Sequence, residues 1–161
     1  MGFGGKACRP GPVTFCRHAV TQDRHVTFTV KTQSVDTGVA PRDTHLRTVE
    51  FLDAAAFPEM TFTSERIAPA GKDVYNVTGK LTIKDVSKTI TIPVKYLGTK
   101  ANPMMPCVDT SGYEATLSLN RLEYHVGTGQ YFKMGVVGDT VDIHLSGEVL
   151  APRPNCVKPQ Q

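Results

Sequence analysis

Tryptophan is absent from the 161 residues, and no apolar run approaches the roughly 18 residues that a membrane-spanning helix needs. Neither sign of charge dominates: 18 Lys and Arg against 15 Asp and Glu leave a net +3, with no basic run to follow a phosphate backbone. These absences argue against an integral membrane helix and against nucleic acid as a partner. No Ser or Cys sits in a nucleophile motif such as GxSxG, and Gly127-Thr128-Gly129 is too short for a nucleotide loop. The opening Met1–Lys6 carries neither an apolar signal core nor a myristoylation pattern.

Cysteine is also scarce. Cys8, Cys16, Cys107 and Cys156 are spaced for neither a zinc ribbon nor a CxxC pair. The plainest expectation is unpaired thiols in loops and termini. An even count suits disulfides in an exported protein, and Cys8 with Cys16 is then the favoured pair, because a short hairpin brings them together. His18 and His25 lie near Cys16 without the ligand pairing of a closed metal site, so no metal or other cofactor is expected. The length suits one domain with a substantial core, and no internal repeat is visible.

What the chain does have is alternation. Val26, Phe28 and Val30 alternate with Thr27, Thr29 and Lys31, and Met60 and Phe62 with Thr61 and Thr63, the period of a half-buried strand. Tyr75, Val77, Leu81 and Ile83 oppose Asn76, Thr78, Lys80 and Thr82. After a turn at Asp85-Val86-Ser87, Ile90, Ile92, Val94 and Tyr96 oppose Thr89, Thr91, Pro93 and Lys95. Tyr113, Ala115, Leu117 and Leu119 share one face, as do Val141, Ile143, Leu145 and Val149. One wet face and one buried face is antiparallel logic. Pro93 cannot donate to a ladder and is expected at an edge or bulge. Val13-Thr14-Phe15 reads as a short first strand, Pro103 and Pro106 as a loop, Gly127–Gly138 as a glycine-rich interval, and the residues beyond Ala151 as a frayed tail. A barrel and a two-sheet sandwich both bury one face of every strand, so the pattern leaves both open.

Between the strands at Val26–Val30 and Met60–Phe62 the alternation stops, and charged residues mix with apolar ones. Asp53 is placed to cap a single helical turn through Ala54–Ala56, and Pro58 drives Phe57 out of the helical region. This reads as an irregular helical crossover, of the kind that plugs, lids or lines something.

That crossover carries a family resemblance. Ser34-Val35-Asp36-Thr37-Gly38, Arg42-Asp43-Thr44-His45-Leu46-Arg47, Phe51-Leu52-Asp53 and Phe57–Phe62 closely resemble the YceI-like family of secreted bacterial lipid-binding proteins. Tyr75–Gly98 looks like the family's paired strands and Leu119–Gly129 like its late loop, so the resemblance runs from about Val26 to about Val149. It implies an all-β fold, an antiparallel lipocalin-like β-barrel with a short helical crossover. In this division 1–25 is a poorly matched N-terminal segment, 26–150 the barrel domain and 151–161 a flexible Pro-rich tail. The implied function is non-enzymatic binding or transport of a polyisoprenoid or similar fatty amphiphile, in a periplasmic or secreted setting. Met1-Gly2-Phe3 is similar to an internal segment of the family, so an opening strand and an export signal are expected upstream of Met1. A barrel without that strand has two open edges, one at Val141–Val149, and self-association as a homodimer would follow.

The expected lining of the interior is Leu46, Phe51, Phe57, Phe62, Leu81, Ile83, Val94, Leu117, Leu119 and Tyr124. Two other readings compete with the carrier: a stress-associated interaction module whose core is filled, and an enzyme acting on a lipid or quinone. Asp43 and His45 are two residues apart and point in different directions on a helix. Asp43 is therefore expected to anchor the crossover, by capping or by pairing with Arg42 or Arg47, while Arg42, His45 and Arg47 are the alternative contacts for a polar head group. His125, beside the Gly127–Gly129 loop, is a lesser candidate at the mouth, and His144 lies on a wet face.

Overall fold

The structure, a computed structural model, describes residues 26–154 and 156 together with the strand at 13–16. Seven antiparallel strands follow chain order in one sheet: β1 (Val13–Cys16), β2 (Thr27–Lys31), β3 (Glu59–Gly71), β4 (Val74–Ile83), β5 (Val86–Ala101), β6 (Val108–Asn120) and β7 (Thr140–Pro152). The sheet curls into a half-barrel, with β1 and β7 outermost among the described strands. The antiparallel all-β class and the short helices are as expected. The reading of Met1–Phe3 lies outside the described residues, as do the suggested Cys8–Cys16 pair and its neighbours His18 and His25.

Register carries the apolar alternation from strand to strand. Phe28, Phe62 and Leu81 sit opposite one another across β2, β3 and β4, and the two phenylalanine rings stack at 5.0 Å. A second row joins Ile67, Val77 and Ile92, and a third joins Tyr75, Val94, Ala115 and Leu145. A bulge at Glu65 separates the first two rows. Gly79 permits the close approach there, since a Cβ would lie 2.3 Å from the Thr63 carbonyl oxygen and 2.8 Å from the Phe62 ring.

Several details differ from the sequence reading. The β4–β5 turn is Lys84-Asp85, with Ile83 opposite Val86 and Lys84 at φ 52°, rather than Asp85-Val86-Ser87. Pro93 lies on an interior strand, but at the locally open edge where β5 has β4 on one side and no β6 partner on the other, in keeping with the expected edge position. It pairs with Asn76, and the β5–β6 ladder begins one residue later at Val94 and Ala115, so no β6 partner is deprived. The crossover helix is α1 (Ala40–Leu46), with Pro41 in its first turn, not Ala54–Ala56. Asp53 has φ 46°, incompatible with the extended backbone of an N-cap, and its carbonyl instead closes a turn by accepting from Ala56 and Phe57.

The C-terminal end is not loose where it leaves the sheet. β7 runs to Pro152, Arg153 N donates to the Cys107 carbonyl at 2.8 Å, and its guanidinium pairs with Asp109. Cys107 and Cys156 form a disulfide with Cα atoms 5.3 Å apart, which corrects the expectation of unpaired thiols for these two. The cause is non-local: β6–β7 pairing sets Val108 opposite Pro152 and so brings the flanking cysteines together.

Candidate functional site

The inward face has a buried centre and half-buried flanks, of which the flank on β5, β6 and β7 is the larger. Towards β3 and β4, Phe62, Val77, Leu81, Ile83 and Ile92 are buried and, with Ala115 and Tyr124, form the core. Half-buried residues pack against that core on both flanks, Phe28, Met60 and Ile67 on β2 and β3, and the longer run Ile90, Val94, Leu117, Leu119 and Leu145 on β5, β6 and β7. The sheet forks within the larger flank. Residues 86–93 of β5 pair with β4, while β6 beyond Ala115 stays with β7. A single 3₁₀ turn, Arg121–Tyr124, follows β6 and puts the Tyr124 ring, 2% exposed, into the core. The Lys88 ammonium lies 5.5 Å above that ring and pairs with Glu123.

Antiparallel order brings the crossover, the Lys84-Asp85 turn and the 121–139 connection to one end of the half-barrel. There they join. Lys84 Nζ donates to the carbonyls of His125 at 2.8 Å and Val49 at 3.4 Å, and His125 faces Asp85 at 3.0 Å, which holds the Asp85 carboxyl below the usual range. Phe51 is buried beneath the ring of Tyr131, 5.8 Å away, with His45 edge-on at 5.0 Å. The buried Arg121 guanidinium donates to the carbonyls of Gly138 and Val126 at 2.7 Å each, and to that of Val137 at 3.4 Å.

Asp43, Arg42, Arg47 and His45 make their side-chain hydrogen bonds within the crossover itself. Asp43 is buried, and its Oδ1 accepts from the Thr37 amide at 2.8 Å and the Thr37 hydroxyl at 2.5 Å. The Thr37 hydroxyl is the main reason the Asp43 carboxyl is held below its usual range; burial opposes it, and the Arg47 and Arg42 charges add to it. Asp43 is thus an anchor, but as a brace to Thr37 rather than as a cap or a direct ion pair. Arg42 donates to the Thr37 hydroxyl and carbonyl, Arg47 to the carbonyls of Gln33 and Val35, and His45 meets Glu50 at 2.7 Å. The groups suggested for a head group are therefore engaged within the crossover.

Of the ten expected lining residues, Phe62, Leu81, Ile83 and Tyr124 sit in the buried core, and Val94, Leu117 and Leu119 are half-buried beside it. Phe51 belongs to the capped end, and Leu46 and Phe57 are half-buried in the crossover, outside that cluster. Val77, Ile92 and Leu145 carry the same alternation and belong with the group. Arg121 and Tyr131 have no pattern in sequence that marks them. On the polar face, Lys95, Glu114, Thr116 and His144 border an open depression of 420 Å³. Its polar groups meet each other, Lys95 with Glu114 at 3.2 Å and Thr116 with His144 at 3.1 Å, and it lies outside the half-barrel.

Residues 9–149 match the YceI-like domain. The chain belongs to the YceI-like family. Protein YceI of Salmonella newport (strain SL254) is 34% identical over 138 residues, covering 86% of this chain and 68% of that protein. Among solved structures, the Campylobacter jejuni YceI protein superposes with a TM-score of 0.74 at 19% identity, over 95% of this chain and 89% of that one. A polyisoprenoid binding domain from Saccharophagus degradans superposes with a TM-score of 0.55 at 15% identity, over 86% of this chain and 79% of that one. The last two likenesses are of fold.

Proposed function

We propose that this protein is a non-enzymatic carrier whose half-barrel holds a polyisoprenoid or similar amphiphile against its half-buried apolar face. The observation that carries the reading is that Ile90, Val94, Leu117, Leu119 and Leu145 point inward yet are not sealed by the chain's own core. Family membership and the fold shared with a polyisoprenoid binding domain support it. Each buried CH₂ contributes about 0.8 kcal/mol, so ten tail carbons approach the ~8 kcal/mol of micromolar affinity before ordering costs. A chain of isoprene units thus needs few polar contacts to be held. The polar groups near the crossover are placed for structure rather than turnover: Asp43 braces Thr37, and His45 turns to Glu50. We place the protein in an exported, oxidising compartment, a reading supported by the Cys107–Cys156 disulfide.

Titration with a fluorescent farnesyl or longer prenyl probe tests the face directly. Leu117→Asp should abolish binding, because it sets a charge on the inward side. Thr116→Asp, one residue away on the exposed polar face, should leave binding intact. Equal retention of the probe by both variants would refute this location.

A further inference from the structure

We propose that the segment Tyr131–Val137 is a docking surface for an anionic lipid bilayer. Within it Phe132 is 48% exposed, Met134 63% and Val136 66%, and Val137 is exposed as well. From Val126 to Gly138 the one charged residue is Lys133. Val49, exposed on the crossover, lies at the same end of the half-barrel, where its carbonyl takes the Lys84 contact.

These side chains face outward on a backbone that is held, not on a loose loop. The short helix α2 (Gly129–Lys133) is closed by Met134 N donating to Gln130 O at 3.0 Å and Gly135 N to Phe132 O at 2.9 Å. Val136 N then returns to Tyr131 O at 3.0 Å, and the Tyr131 ring is stacked on buried Phe51. Both ends of the loop are pinned by one buried guanidinium, that of Arg121, through the carbonyls of Val126 and Gly138. Gly127 at φ +74° lets the chain pass, since a Cβ there would stand 2.5 Å from Arg121 Nη1. With its interior side committed to Phe51 and Arg121, the segment has only its outer side to offer.

A bilayer surface fits what that side presents. The outward groups are a phenylalanine, a methionine and valines, which gain by leaving water for the acyl boundary, and the accompanying charge is a lysine, which pairs with lipid phosphates on a flexible stem. The inference does not depend on whether the half-barrel holds a ligand. It puts the capped end against the membrane, from which an amphiphile would be collected or to which it would be returned.

Co-sedimentation with vesicles of phosphatidylethanolamine and phosphatidylglycerol tests it, using the full chain with its disulfide intact. Wild-type protein should bind these vesicles and bind less to vesicles of phosphatidylcholine alone. Phe132→Ser combined with Met134→Ser should weaken binding by about tenfold or more. Lys133→Glu should weaken binding to the anionic vesicles and remove the difference between the two lipid compositions. Both variants should keep the wild-type Tm and the wild-type affinity for a prenyl probe in vesicle-free buffer, which separates this proposal from the carrier reading. Vesicle binding that is missing in the wild type, or unchanged in the double variant, overturns the proposal. So does a concentration-dependent dimer that the double variant dissolves, since the occupant would then be a second copy.

Discussion

The buried centre of the inward face and its larger flank are written in the same code and end in different states. β4 reads Val77, Leu81 and Ile83 at inward positions, and β6 reads Ala115, Leu117 and Leu119. In β4 every one of these is buried, whereas Leu117 and Leu119 are only half-buried. The difference comes from neighbours rather than from the strands themselves. β4 lies between β3 and β5 along its whole length and receives Phe62 and Tyr124. β6 loses β5 beyond Ala115, where the sheet forks. Alternation therefore marks which face is apolar, but whether that face becomes core or surface depends on what the curled sheet brings opposite it.

The largest expected effect lies in the sealed centre. Phe62→Ala should cost about 3–5 kcal/mol in urea-monitored unfolding, because the ring is 1% exposed and stacks on Phe28. Next comes the covalent tie of the larger flank. Replacing Cys107 and Cys156 with serine should cost about 2–4 kcal/mol, read from the same unfolding curves, since it frees a span of 49 residues that includes β6 and β7. Leu117→Ala should cost only about 1–2 kcal/mol, consistent with partial burial, while weakening prenyl-probe binding. A Leu117→Ala penalty as large as that of Phe62→Ala would erase the distinction between centre and flank.

The smallest effect is at the capping crossover and depends on pH. The Thr37 hydroxyl holds the Asp43 carboxyl below its usual range, so the stabilisation is complete above about pH 3.9 and disappears as the pH falls through the lower folded value. Asp43→Asn should lower Tm by a few degrees at neutral pH and make Tm less sensitive to pH below about 4. An unchanged Tm profile would mean that the brace to Thr37 does not matter for the crossover.

Local features of the chain were readable to the extent that their causes are local. The one-sided strand from Tyr75 to Ile83 follows from period two alone, and β4 bears it out. The helix did not follow so simply. Asp53 before three alanines satisfies a capping rule, but Asp53 takes a left-handed backbone, while Pro41 seeds α1 without any side-chain cap on Val39. Pro41 was the available signal. The Cys107–Cys156 bridge depends on the register of β6 against β7, which no spacing in the sequence reveals. Arg121 was equally hidden, because its partners are backbone carbonyls at Val126, Val137 and Gly138, and carbonyls leave no mark in a sequence. Of the candidate site, the apolar face was visible in the alternation of the strands, but the fork that leaves part of it uncovered was not.

The most direct test of the carrier reading is organic extraction and mass spectrometry of the full-length protein purified without detergent. The account predicts an isoprenoid or similar long-chain amphiphile near one per protein molecule, retained by Thr116→Asp and lost from Leu117→Asp. A folded wild-type protein that yields no such lipid and does not take up a prenyl probe would contradict it, and would leave the half-buried face as part of a filled core.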